Sequence, residues 1–358
     1  MTFNPIPPAS KRGPRLADPR LGGLTRRTAL NAAALGLAGC AGSGYLAPPQ
    51  GDFDAVLDLA MAQSSTSLLV SVGGQVVAER HAVGWDAQRP REVASVGKSI
   101  LAVLLAMALE KGMFDSLDQP AADFVPTWRD DPRSAITLRQ LMSMTSGLDD
   151  TGLAVRGVVG DQFAINAAMP LRDPPGARWT YNTAAYHLLF HILERAVDRP
   201  LADFAQDHLI GPLEMTRTTW ITSQGQGEVG PVTNYYSAEA TARDLARFGQ
   251  LVLNGGVWQG RRLIGEATLR TLLRPSQALN PSYGLLWWEN AQAGHDAVGR
   301  GQGLRFPSAP RDTVAALGAG GQMILIAPSR DLIVVRQGDA PQSATLANAL
   351  LAAALRAG

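Results

Sequence analysis

The sequence predicts an α/β (α+β) fold in two lobes: an antiparallel sheet built from both chain ends and flanked by helices, plus a mostly helical inserted lobe. Three observations lead there. Short β-rich runs with turn signals lie near both ends of the chain, and the long middle carries apolar residues three or four apart. A chain of 358 residues that is 46% hydrophobic can also bury a large core.

Residues 1–50 read as an address and a tether. Lys11, Arg12, Arg15, Arg20, Arg26 and Arg27 stand against Asp18 there, so the formal charge of +1 conceals a net acidic remainder. Arg26 and Arg27 form a twin-arginine pattern, followed by an apolar run at 32–38 that is too short to span a bilayer. Residues 37–40 (LAGC) resemble a lipobox, in which the cysteine is acylated and becomes the new N-terminus. Cys40 is therefore expected to carry a lipid, with export by a twin-arginine route to a periplasmic or extracytoplasmic membrane surface. A buried filler, a catalytic thiol, or a plain tail with a chance arginine pair are the alternatives. As the single cysteine it excludes a structural disulfide, and nothing beyond the N-terminus is basic enough to suggest nucleic acid as a partner.

Residues 51–358 supply the globular part, with the α/β lobe at about 51–120 and 286–358 and the helical lobe at about 121–285. A helix is expected around 53–63. Residues 67–72 and 75–79 flank Gly73-Gly74, a two-residue hairpin signal. The apolar run 100–109 reads as a buried helix, and helical periodicity recurs at 138–144, 183–197 and 240–253. A second hairpin is expected from 323–327 and 332–336 around Pro328, and the Ala/Leu-rich stretch 345–356 closes the chain as a helix.

Chemistry concentrates at Ser95 and Lys98, three residues apart at the start of the 100–109 helix. Both would share one helical face, where the helix N-terminus and burial disfavour a protonated amine and support lysine as a general base. A capping serine followed by a solvated lysine is the plain alternative. The chain has three lysines, and neither Lys11 nor Lys111 has serine three residues before it.

Further segments follow in order: residues 136–148 (ITLRQLMSMTSGL), 175–181 (PGARWTY), 211–215 (GPLEM), 241–248 (TARDLARF) and 283–288 (YGLLWW). Together with Ser95-Val-Gly-Lys98 they resemble the class C β-lactamase and penicillin-binding-protein superfamily of serine hydrolases, over most of residues 55–340. The resemblance implies a β-lactamase/transpeptidase-like fold and an acyl-enzyme mechanism without metal or organic cofactor. It implies Tyr181 as second acid/base, with threonine at 183 where the Tyr-x-Asn motif usually ends in asparagine, and Asn182 beside it as a substrate-contacting residue. A core tyrosine is the alternative for Tyr181. It also implies an oxyanion hole from the Ser95 and Ala319 N–H groups, with Gly318 admitting the substrate. The family's Lys-Thr-Gly or His-x-Gly cation is absent, since the corresponding segment reads Ala316-Leu317-Gly318. An arginine from a distant segment could take that place.

The implied function is hydrolysis of a small ester, amide or peptide-like substrate, closest in flavour to carboxylesterases and 6-aminohexanoate-dimer hydrolases. A D,D-carboxypeptidase or weak β-lactamase, and a penicillin-binding sensor without turnover, are the rivals. His187 and His191 lie four apart on one predicted helix but lack a third ligand, so packing is expected of them rather than metal binding. Trp287 and Trp288 fit either a cleft wall or the core.

Overall fold

The computed structural model describes residues 51–301, 303–340 and 343–358. The twin-arginine pair, the tether and Cys40 lie outside the described residues.

In chain order, α1 (Asp54–Met61) leads into β1 (Ser65–Val72), β2 (Gln75–His81) and the short β3 (Arg91–Glu92). Helices α2 (Val96–Glu110), α3 (Leu138–Met142), α4 (Gln162–Ala167), α5 (Thr183–Val197) and α6 (Leu201–Ala205) follow. Next come β4 (Thr219–Gln226), β5 (Pro231–Ala240), α7 (Ala242–Leu253), β6 (Val257–Trp258), β7 (Arg261–Arg262) and α8 (Glu266–Leu272). The chain closes with β8 (Trp288–Glu289), β9 (Val314–Gly318), β10 (Gln322–Ala327), β11 (Leu332–Gly338) and α9 (Ala344–Ala357).

The main sheet has the order β2-β1-β11-β10-β9-β8, so both ends of the chain build it, with every pairing antiparallel. Gly73 and Gly74 take φ of 58° and 78°, the backbone that a tight hairpin turn demands. Strands β10 and β11 are buried along their whole length, which explains why they read as continuous apolar runs rather than alternating ones. Helix α7 packs on β1, β10 and β11. A Cβ on Gly249 would stand 3.2 Å from methyls of Ile324 and Ile333, so glycine there lets the helix lie close to the sheet.

The middle of the chain is not helical throughout. Strands β4 and β5 form a long hairpin that joins β3 in a second sheet, ordered β3-β5-β4. Its signal is present in Thr219, Trp220, Ile221 and Thr222, and in Val232, Thr233, Tyr235 and Tyr236, β-branched and aromatic types that favour a pleated surface. The predicted helix 240–253 begins at Ala242, because Ala240 still pairs with Arg91 in the sheet.

Candidate active site

The chain approaches Ser95 along a fixed edge. Strand β3 pairs with β5, and the Val93 N–H donates to the Ala238 carbonyl at 2.9 Å. Ala94 then adopts φ 48°, with its carbonyl accepting from Ser237 Oγ at 3.0 Å. A non-glycine residue in the left-handed region costs about 1 kcal/mol or more and persists only where its surroundings enforce it. The sharp turn leaves Ser95 at the head of α2.

Ser95 holds the N-cap position of α2 yet makes no side-chain cap hydrogen bond. Its Oγ lies 3.2 Å from Lys98 Nζ instead. Lys98 is 3% exposed, which rules out the solvated lysine. Its amine also donates to Thr183 Oγ1 at 3.4 Å and stands 4.2 Å from the centre of the Tyr186 ring. Burial pulls the amine down from 10.5 to about 7, because desolvation disfavours the ammonium. Thr183, at the departure from the Tyr-x-Asn pattern, thus serves the lysine directly.

Residues 136–148 build the shelf that carries Tyr181. A reciprocal capping box between Thr137 and Gln140 opens α3. Beyond it Met144 turns at φ 63°, its carbonyl accepting from the Thr180 N–H at 2.9 Å and its sulfur from the Asn182 N–H at 3.4 Å. Tyr181 is thereby held against Trp288, ring centres 6.1 Å apart and planes 11° from parallel. Burial pushes its phenol up to about 12, while a hydrogen bond with Ser95 and the nearby Arg305 charge pull the other way. The phenol therefore keeps its proton at neutral pH, beside the serine.

Asn182, expected as a substrate-contacting residue, turns its amide into the fold. Its Oδ1 caps α5 by accepting from the Ala185 N–H at 2.7 Å, and its Nδ2 donates to the Leu148 carbonyl at 3.0 Å. At 1% exposure, both halves of the amide are engaged inside the fold, a role that its position directly before a helix already encodes.

The end of β9 closes the site from the other side. A Cβ on Gly318 would fall 2.5 Å from the Val93 carbonyl oxygen and 3.0 Å from the Ser95 nitrogen. Only glycine allows this approach, which sets the end of β9 beside Ser95. The turn after it is gripped by Arg336, a fully buried guanidinium with no hint in the apolar run around it. Arg336 donates to the carbonyls of Gly320 (2.9 Å), Gly321 (2.7 Å) and Gln63 (2.7 Å), and to Ser65 Oγ (2.9 Å).

Other residues from the sequence reading fall away from the site chemistry or join it in unexpected ways. His187 bonds with Gln162 Nε2 at 3.0 Å and burial drives its imidazole down to about 3, whereas His191 meets Glu194 at 3.1 Å. Trp287 stacks on Phe248 in the core. Trp288 faces the site, with Arg305 Cζ 3.5 Å from its ring centre. Arg305 comes from a glycine-rich loop with no periodicity, and the sequence carried no signal for it.

The fold and the buried Ser95–Lys98 pair fit the class of the serine hydrolases. The chain belongs to the beta-lactamase family, whose family model matches residues 53–356. Among curated proteins it is 26% identical over 273 residues to the human protein beta-lactamase-like 1, spanning 66% of this chain but only about half, 54%, of that one. It is 23% identical over 309 residues to the 6-aminohexanoate-dimer hydrolase of Paenarthrobacter ureafaciens, covering 78% of this chain and 74% of that one. With esterase EstB of Burkholderia gladioli it shares 26% identity over 270 residues, 63% of this chain and 68% of that one. A crystal structure of a beta-lactamase homologue from Bacteroides dorei superposes with a TM-score of 0.68 at 19% identity, covering 85% of this chain and 98% of that chain, which bears on the fold alone.

Proposed function

We propose that the protein hydrolyses small esters or amides through an acyl-enzyme formed on Ser95. The observation that carries this reading is the buried amine of Lys98, 3.2 Å from a serine hydroxyl that caps nothing. As the Ser95 Oγ–carbonyl bond forms, the amine accepts the hydroxyl proton and the carbonyl oxygen takes the electron pair. The Ser95 and Ala319 N–H groups hold that oxyanion. When the bond to the leaving group breaks, the Tyr181 phenol protonates it and is reprotonated from Lys98. Water then repeats the sequence in reverse on the acyl-enzyme, releasing the acid and regenerating the serine.

The test is steady-state turnover of p-nitrophenyl butyrate by the wild type and by Ser95→Ala, with near-ultraviolet circular dichroism as the check on folding. The folded variant is expected to lose turnover by about 10³-fold or more. Turnover persisting at the wild-type rate would overturn the proposal.

A further inference from the structure

A sheet edge is a row of unpaired N–H and C=O groups that another strand can join, and folds blunt such edges with charge, with shortness or with a covering segment. Most edges here are blunted. The outer strand of the main sheet, β2, carries Glu79, Arg80 and His81, with Glu79 ion-paired to Arg243 and Arg80 to Asp54 and Asp58. At the opposite edge β8 is two residues long, and so is β3 at one edge of the second sheet. Strand β4, the other edge of the second sheet, has none of these devices.

Strand β4 runs for eight residues, Thr219–Gln226, without a charged residue or a proline, and none of the eight is fully buried. Its inner side pairs with β5 over the whole length. The one irregularity in that ladder falls on β5, where Tyr236 is skipped between Ser237 and Tyr235, so β4 itself is unbroken. Among the described residues no other backbone segment bonds to it. The loop at 157–160 crosses the hairpin on its face and not at its edge: the Gly160 carbonyl accepts from Asn234 Nδ2 at 2.8 Å, and a Cβ on Gly225 would fall 2.0 Å from that oxygen.

The strand suits its own copy. Antiparallel pairing about a two-fold axis through Thr222 or Ser223 sets uncharged side chains opposite one another along the whole stretch. In either register Arg217, just before the strand, falls within one residue of the position of Glu228, just beyond the strand of the second copy. Both are exposed and opposite in charge, and the symmetry makes the match twice. Because β3 at the far edge is too short to continue the sheet, such a pair closes on itself and does not grow into a fibre.

We infer that β4 is a self-association edge, along which two copies of this chain join their second sheets in the order β3-β5-β4-β4-β5-β3. The inference is independent of the chemistry proposed at Ser95.

The experiment is sedimentation velocity over about 1–200 µM on the full chain carrying Cys40→Ser, which removes the single thiol as a source of dimers. The mass is expected to rise from one chain towards two across that range. Thr222→Lys combined with Gln224→Lys, both at exposed positions, sets lysine opposite lysine in either register and is expected to weaken the dimer by at least about tenfold, with near-ultraviolet circular dichroism as the check on folding. Arg217→Glu is expected to weaken it by about threefold to tenfold, and adding Glu228→Arg to restore it. A chain that stays single throughout, or a dimer untouched by the two lysines in a folded variant, would overturn the inference. Hydrogen exchange distinguishes the occupants of the edge. Protection at 219–226 that grows with protein concentration supports the pair, whereas protection already complete in the single chain would place another segment of this chain on β4 and overturn it.

Discussion

At the scale of single residues, the proposed mechanism makes Lys98 the residue on which both rate and stability depend. An amine lowered to about 7 is neutral above that pH, so kcat/KM is expected to rise through an acid limb near pH 7 and then level off, with the phenol at about 12 beyond the working range. The same burial costs stability. Between about 7 and 10.5 the unfolded chain binds the Lys98 proton that the folded one has released, so unfolding free energy from this group increases with pH across that window. Lys98→Met is therefore expected to abolish turnover yet unfold at a higher denaturant concentration than the wild type at pH 7, the gap closing by pH 10.5. A less stable variant at pH 7 would contradict the burial argument. The Ser95–Lys98 pair was readable from its three-residue spacing at a helix start, whereas Tyr181 was reached only through the resemblance of residues 175–181 to the family's motif. Asn182 was expected at the substrate and caps α5 instead of pointing into the cleft, a difference hidden in the sequence because capping and substrate binding ask for the same side chain.

Among the elements, the end of β9 matters most, since it brings a distant part of the chain against Ser95. Adding one methyl at Gly318 puts a carbon 2.5 Å from the Val93 carbonyl oxygen, so the strand must retreat and carry the Ala319 N–H with it. Gly318→Ala is expected to lower kcat by about 10²–10³-fold, the effect of losing one oxyanion donor, with KM much less affected in the same ester assay. An unchanged kcat would mean that the oxyanion lies elsewhere. Hairpins at Gly73-Gly74 and around Pro328 were readable from turn chemistry, and α5 from its apolar period. The β4-β5 hairpin was missed because it sits among helices, where its alternating burial competes with a strong 3.6-residue rhythm on either side. Ala94 could not be foreseen at all, since its left-handed turn is imposed by Ser237 and by β9, not by its own side chain.

Across the whole molecule, the sheet joins residues far apart in sequence, and Arg336 is where they are tied. Its four bonds connect β11 to the Gly320–Gly321 turn and back to Gln63 and Ser65 near the start of the described chain. Arg336→Met would leave several buried acceptors unmatched, and a loss of about 3 kcal/mol is expected in urea unfolding; a loss below about 1 kcal/mol would show the cage to be dispensable. The two-ended sheet was visible in the placement of β-rich runs, whereas Arg336 and Arg305 were hidden because a charge acquires its meaning only from what surrounds it in space. The central claim is that a neutral Lys98 activates Ser95, and the rate of Ser95 modification by a fluorophosphonate, followed by peptide mass spectrometry against pH, tests it most directly. Modification confined to Ser95, rising to half its maximal rate near pH 7, is the predicted result; an unmodified Ser95, or a rate indifferent to pH between 5 and 9, would contradict it.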